Sequence, residues 1–231
     1  MKRFYKEVAT AAEGAGWRVT LDGRGIKTAG GNPQVVPSIA LATSMAAEWA
    51  AQGKELDPGL FMLRDLADYA IDVVAGDPAE VIATLLRYAE TDTLCYRAEP
   101  DEPLAARQAE LWEPLLRAAE ARWDVHFERV AGIIHRPQPD ATLRRLELVL
   151  QAESAFVLAA LNTLTSLAAS LVIGLAALAP DADLAALWDA AELEGDWQAE
   201  LWGKDHEAEE RRARRLAAFC KAAEFARAAR G

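Results

Sequence analysis

Trp17-Arg18-Val19-Thr20-Leu21-Asp22-Gly23-Arg24-Gly25-Ile26-Lys27-Thr28 decides the fold class, because it is strand chemistry in a chain otherwise patterned as helix. Residues 17–21 alternate apolar and polar, Asp22-Gly23-Arg24-Gly25 supplies turn residues, and Ile26-Lys27-Thr28 resumes the extended pattern. The segment predicts a β-hairpin. Gly30-Gly31-Asn32-Pro33 forms a second turn ahead of Gln34-Val35-Val36, and the residue before Pro37 is biased away from helix. A small sheet is therefore expected within the first 37 residues.

Beyond Ser38 the period changes. Ile39, Ala42, Met45, Ala46 and Trp49 recur at three- and four-residue steps in an alanine-rich run, which predicts a helix. Leu60, Leu63, Leu66, Ala70 and Val73 predict a second, with Asp57 as N-cap and Pro58 at the first helical position. Asp77-Pro78 opens a third by the same logic, and the pattern lapses through Asp92-Thr93-Leu94-Cys95-Tyr96. Residues 104–123 are again helical, with Pro114 expected to kink or split the helix. Residues 125–139 are irregular and hold His126 and His135, and everything after Asp140 reads as helix. The expectation is an α+β protein: a mixed β/α domain over 1–98 and a larger helical domain over 99–231, meeting near 96–103 without a flexible linker.

At 231 residues the chain can bury a sizeable core. Its hydrophobic share of 52% against 26% charged is that of a soluble globular protein, which opposes disorder. A net charge of −11, with basic residues scattered among acidic ones, opposes nucleic-acid binding, because displacing counterions from phosphates needs a basic surface. Cys95 and Cys220 lie far apart without Cys-x-x-Cys spacing and read as reduced thiols in a cytoplasm-like compartment. The start, Met-Lys-Arg-Phe-Tyr-Lys-Glu-Val, shows neither a signal-peptide nor a transit-peptide pattern, so a cytoplasmic location is expected.

Residues 155–179 carry no charge and are long enough to cross a bilayer. Yet Leu158, Leu161, Leu164, Leu167, Leu171, Leu175 and Leu178 form one stripe, Asn162, Thr163, Thr165, Ser166 and Ser170 fill other faces, and no aromatic belt flanks both ends. A buried central helix is expected, not a membrane span. Gly23-Arg24-Gly25-Ile26-Lys27-Thr28 superficially resembles a phosphate loop, but Ile26 stands where that motif needs glycine. There is no Gly-x-Ser-x-Gly elbow, and nothing around Cys95 in sequence would lower its pKa.

The residues that do look functional lie in 193–215, where two tryptophans, Gly203 and seven carboxylates share one short window. On a helix His206 and Glu210 would share a face, as would Asp205 and Glu209. That permits a metal-dependent hydrolase reading, with a third ligand drawn from His126 or His135, although His-Glu-x-x-His spacing is missing. The competing reading is a solvated helix: acids early, Arg211, Arg212, Arg214 and Arg215 a turn later, and Glu207–Arg211 and Glu210–Arg214 pairs. Trp197 and Trp202, both ahead of the Gly203 break, then predict packing at a helix junction.

Several motifs together carry a resemblance. Arg3-Phe4-Tyr5-Lys6, Leu21-Asp22-Gly23-Arg24 with Lys27-Thr28, and Ala47-Glu48-Trp49 with Gln52 stand in the first part of the chain. Thr91-Asp92-Thr93-Leu94-Cys95-Tyr96-Arg97, Gln108 with Trp112 and Pro114, and Trp197-Gln198 with Trp202-Gly203, Asp205 and Glu207-Ala208 follow in order. In order and spacing the set resembles the ATP-twelve family, the assembly chaperones that escort the alpha subunit of the ATP synthase catalytic sector. The resemblance implies a small N-terminal β-containing domain, a larger helical domain, and a non-enzymatic role without cofactor. In that role the chaperone binds free alpha subunit and shields its beta-facing surface. It also implies a partner site at Glu207, with Asp205, Trp202, Trp197 and Gln198 in the same motif. Mitochondrial relatives carry a targeting extension and extra residues between the Trp-Gly and Asp-x-Glu parts, so a bacterial member is expected.

Overall fold

The computed structural model describes residues 1–132, 135–203 and 205–231. Asp22 and Gly23 take φ of 48° and 76°, the pair of left-handed residues that lets a two-residue turn follow the right-handed twist of its strands. The turn sits in a three-stranded antiparallel sheet of β1 (Val8–Glu13), β2 (Gly16–Leu21) and β3 (Arg24–Gly25), in that spatial order. Val8 lies opposite Leu21 and Glu13 opposite Gly16, while Leu21 faces Arg24 across the hairpin. The hairpin stands where the sequence predicts it, but its return strand is Arg24–Gly25 instead of Ile26-Lys27-Thr28. Ile26 still donates to the Val19 carbonyl at 3.2 Å, after which Lys27 bridges to Pro33 and the chain leaves the sheet.

The second turn is tied to a helix far along the chain. Asp72 accepts from the Thr28 hydroxyl at 2.7 Å, the Asn32 amide at 2.8 Å and the Gly30 N–H at 2.8 Å. A side chain at Gly30 would meet the Asp72 carboxylate at 2.7 Å, so a larger residue there would push this carboxylate off its hydrogen bonds.

Helix α1 (Ile39–Ala50) starts at Ser38, whose hydroxyl accepts from Leu41 N. It buries Leu41, Ala42, Met45 and Trp49 and packs on β1 and β2, while Ile39 in its first turn stays exposed. The expected second helix forms in three pieces: a 3₁₀ turn Pro58–Leu60 capped by Asp57, then α2 (Met62–Tyr69), then a π turn Ala70–Val74. The buried set is accordingly Phe61, Leu63, Ala67, Ala70 and Val74, and Leu60 and Val73 are exposed. Phe61, at φ −98° and ψ 56°, breaks the helix after Leu60, and the wider π turn brings Val74 to the core in place of Val73. The Glu48 carboxylate of α1 supplies the cap that α2 lacks locally, accepting from Leu63 N at 2.7 Å and Arg64 N at 3.0 Å.

The remaining elements are α3 (Pro78–Glu90), β4 (Tyr96–Arg97), α4 (Pro103–Trp123), β5 (Val130–Ala131), which pairs in parallel with β4, and α5 (Asp140–Gln151). There follow α6 (Ala155–Ala168), α7 (Leu171–Ala177), α8 (Leu184–Ala191), α9 (Leu193–Trp202) and α10 (His206–Arg230). α4 runs unbroken through Pro114. On its buried face Trp112 donates from Nε1 to the Ala190 carbonyl at 2.7 Å, which fastens α4 to the end of α8.

The expected single helix over 155–179 is two helices. Ala169 turns left-handed at φ 49° and Ser170 caps α7 through Ile173 N. No helix among the described residues is long and apolar enough to cross a membrane. Contacts divide the chain into two compact units, one of Met1–Pro78, Ser154–Ala160 and Lys221–Gly231, the other of Ala79–Glu153 and Leu161–Cys220. The boundary read from sequence, at residue 98, falls inside the second. A small sheet-bearing N-terminal region followed by helices is an α+β fold, as expected.

Candidate functional site

Helix α9 ends because Gly203 takes φ 96° and ψ 160°, a conformation that favours glycine. Asp205 then starts α10: its carboxylate accepts from Ala208 N at 3.3 Å and its carbonyl from Glu209 N at 3.0 Å. Two large apolar side chains are left uncovered at this junction, Leu201 at 57% exposure and Trp202 at 78%. Glu207, in the first turn of α10, is exposed and, among the described residues, pairs only with Arg211 at 3.5 Å.

Trp197 and Gln198 sit one turn earlier and face elsewhere. The Arg107 guanidinium covers the Trp197 ring at 4.6 Å and bonds to Glu200 at 2.9 Å. Trp197 and Gln198 line a cleft of about 670 Å³ together with Tyr96, Arg97, Leu104 and Glu194. The sequence set thus separates into an exposed trio, Trp202, Asp205 and Glu207, and a cleft pair, Trp197 and Gln198. The expectation that both tryptophans pack at the junction is corrected, since Trp202 projects to solvent and Trp197 alone is half-buried.

The arginines of α10 divide in the same way. Arg211 and Arg214 make the expected one-turn pairs, with Glu207 at 3.5 Å and Glu210 at 4.0 Å. Arg212 reaches back to Asp196 at 2.7 Å and Asp189 at 3.4 Å, and Arg215 reaches Glu192 at 2.9 Å and the Leu167 carbonyl at 2.7 Å. These longer contacts anchor the first turns of α10 to α8 and α9 and so fix where the exposed trio points.

The geometry offers little to a metal. His206 lies 3.9 Å from Glu210 and is fully solvated. His126 instead meets Glu120 at 3.2 Å, and His135 bonds the Tyr96 hydroxyl at 2.9 Å. Among the described residues no three His, Cys, Asp or Glu side chains gather closely enough to hold an ion. Burial pushes the Cys95 thiol up, with the Asp92 charge adding to it, so it stays protonated and unreactive.

The model of the family described as ATP12 chaperone protein matches residues 2–120. The chain belongs to the ATP12 chaperone family. It is 36% identical to Atp12 from Paracoccus denitrificans, with a TM-score of 0.91 and 97% of each chain covered. It is 38% identical to the Agrobacterium tumefaciens protein Atu1473, with a TM-score of 0.94 over 100% of this chain and 86% of that one. Against the mitochondrial protein atp12 of Schizosaccharomyces pombe it is 27% identical over 221 residues, 90% of this chain and 76% of the relative. ATP12 family members are assembly chaperones for the ATP synthase and not enzymes, and nothing supports the metal-dependent hydrolase reading.

The fold also brings together polar side chains that lie far apart in the sequence. Arg97 donates to the Leu94 and Gln108 carbonyls at 2.9 Å each and to Glu113 at 3.3 Å. Arg129 joins Glu113 at 3.1 Å and also bonds Glu120. Burial alone would raise both glutamates, but Arg129, joined by Arg117 and Arg97 at Glu113 and by the Phe127 N–H and His126 at Glu120, holds them below the ordinary glutamate value. Gln108, buried, accepts from Ala98 N at 2.8 Å and donates to Glu194 at 2.9 Å, so it carries one wall of the cleft to the other. Arg97 and Gln108 both stand in the motifs quoted above, whereas no local signal marks Arg129.

Proposed function

We propose that this chain holds newly made alpha subunit of the ATP synthase catalytic sector and covers its beta-facing surface until assembly proceeds, with no chemical step. The observation that carries this reading is the uncovered Leu201–Trp202 pair at the α9–α10 junction, flanked by Asp205 and Glu207. A large aromatic beside charged groups matches the anchor-and-rim arrangement of protein interfaces, and leaving it in water is unfavourable unless a partner covers it. Among the described residues the Glu207 carboxylate is committed only to a solvated pair with Arg211, an interaction that contributes little and exchanges readily. Trp197 and Gln198 extend the contact along the neighbouring cleft.

A holder of this kind must release its client, so its affinity has to stay below that of the true neighbour. Similarity to proteins of two bacteria favours a bacterial member working in the cytoplasm. Purified chain mixed with the cognate alpha subunit should co-elute with it and slow its aggregation on dilution from denaturant. Absence of both effects would contradict the proposal.

A further inference from the structure

The first compact unit carries a second surface with no part in the reading above. The N-terminal segment, the β2–β3 hairpin and α1 enclose a groove of about 710 Å³. Its floor is apolar, made by Leu21, Ile26 and Trp49, and Phe4 stands beside it at 62% exposure. The floor is held rigidly. The Tyr5 hydroxyl donates to the Trp49 carbonyl at 2.6 Å, the two rings meet edge to face at 5.5 Å, and Trp49 packs on Phe61 at 4.5 Å. A preformed apolar floor receives a side chain without reorganisation.

The charges around this floor are unequally committed. Asp22 already accepts from Lys6 N at 3.0 Å and Glu7 N at 2.8 Å, and Asp68 accepts from Ala29 N at 3.1 Å and from the Gln34 amide. Arg64 bonds Asp65 at 2.8 Å and lies over the Phe61 ring at 4.1 Å. Arg24 and Lys27 remain. Both are exposed on the groove wall, and neither makes an ion pair or a side-chain hydrogen bond with the described residues, although Arg24 lends its charge to Asp22 at longer range. In a chain of net charge −11, the groove's two uncommitted charges are therefore both positive. Trp49 of the floor also keeps a buried Nε1–H without a hydrogen-bond partner among the described residues.

We infer that this groove binds an extended acidic segment of the client protein, with a carboxylate side chain set against Arg24 and Lys27 and an adjacent large apolar side chain on the Leu21–Ile26–Trp49 floor. The inference rests on the chaperone reading only for which protein owns the segment. Such a site would give the chaperone a contact on the sheet-bearing unit besides the one at the α9–α10 junction.

The test is a fluorescence-polarisation titration of the whole chain with two labelled peptides, acetyl-Phe-Asp-Leu-Glu-Phe-amide and its charge-reversed form acetyl-Phe-Lys-Leu-Arg-Phe-amide. The wild-type chain should bind the acidic peptide at least tenfold more tightly at low salt. The Arg24→Glu, Lys27→Glu double variant should invert that preference while keeping its thermal midpoint. Binding of neither peptide, a preference that survives the double substitution, or binding of phosphatidylglycerol vesicles in place of the peptide would overturn the inference. A second arm separates the two readings. If the wild-type chain shows the peptide preference but does not retain alpha subunit, the alpha-subunit reading fails alone. If it retains alpha subunit as well after both substitutions as before, the groove fails alone.

Discussion

The Asp92 carboxylate accepts a hydrogen bond from the Val172 N–H at 3.0 Å, joining residues 80 positions apart where the apolar 155–179 run breaks. Its other oxygen accepts from Leu94 N at 3.1 Å, and Thr93 bonds the Ala169 carbonyl from its hydroxyl at 2.9 Å. One buried side chain thus starts α7 and shapes the turn leading into β4. Asp92→Ala strands several buried donors, and the expected cost is about 2–4 kcal/mol. Urea unfolding checks it; a loss below about 0.5 kcal/mol, the usual size of a surface effect, would contradict this role.

Burial pushes Asp92 up to about 6 in spite of those hydrogen bonds. Its unfolded value is near 3.8, so between the two the native state holds a proton that the unfolded state has lost. Stability from this group is then full at low pH and declines as pH rises from about 4 to about 6. Subtracting the urea profile of Asp92→Asn from that of wild type isolates the effect. The difference should fall across that window, and a difference independent of pH would contradict it.

The Glu113–Arg129–Glu120 network predicts the opposite sign. Both glutamates titrate below their ordinary value of 4.5, so their contribution is present above that pH and is lost as pH falls through their native values. Arg129→Met should unfold at lower urea concentration at neutral pH and lose less on acidification below about pH 4.5 than wild type does. Parallel acid profiles for the two proteins would show that the network does not couple to folding.

At the α9–α10 junction, fold and contact can be separated. Asp205 caps α10 through Ala208 N, so Asp205→Ala should cost about 1 kcal/mol. Glu207 lies in the first turn and, among the described residues, pairs only with Arg211, so Glu207→Lys should shift stability by no more than about 1 kcal/mol while weakening alpha-subunit binding. Thermal melts beside an alpha-subunit pull-down measure both. A collapsed midpoint for Glu207→Lys would make Glu207 a structural residue instead.

What the sequence made legible follows from the range of the physics involved. The Asp22-Gly23 turn, the Asp57 cap and most of the buried stripe of α1 are local and were readable. β1 was not, because Val8-Ala9-Thr10-Ala11-Ala12-Glu13 is rich in alanine, which carries little strand preference, and only pairing with β2 extends it. The break at Ala169–Ser170 was hidden in part because Asp92, which accepts from Val172 N and so supports the Ser170 cap of α7, comes from the other side of the sequence. Glu48 capping α2 escaped for the same reason. The 193–215 window was recognisable as unusual, yet its division into an exposed trio and a cleft pair depends on Arg107, Arg212 and Arg215 reaching partners on other helices.

The most direct measurement is right-angle light scattering of alpha subunit diluted from denaturant, alone, with an equimolar amount of the chain, and with its Trp202→Ser, Glu207→Lys double variant. The account predicts that the wild-type chain suppresses the scattering and that the double variant, folded and with a similar thermal midpoint, does not. Alpha subunit scattering equally with and without the wild-type chain would contradict it.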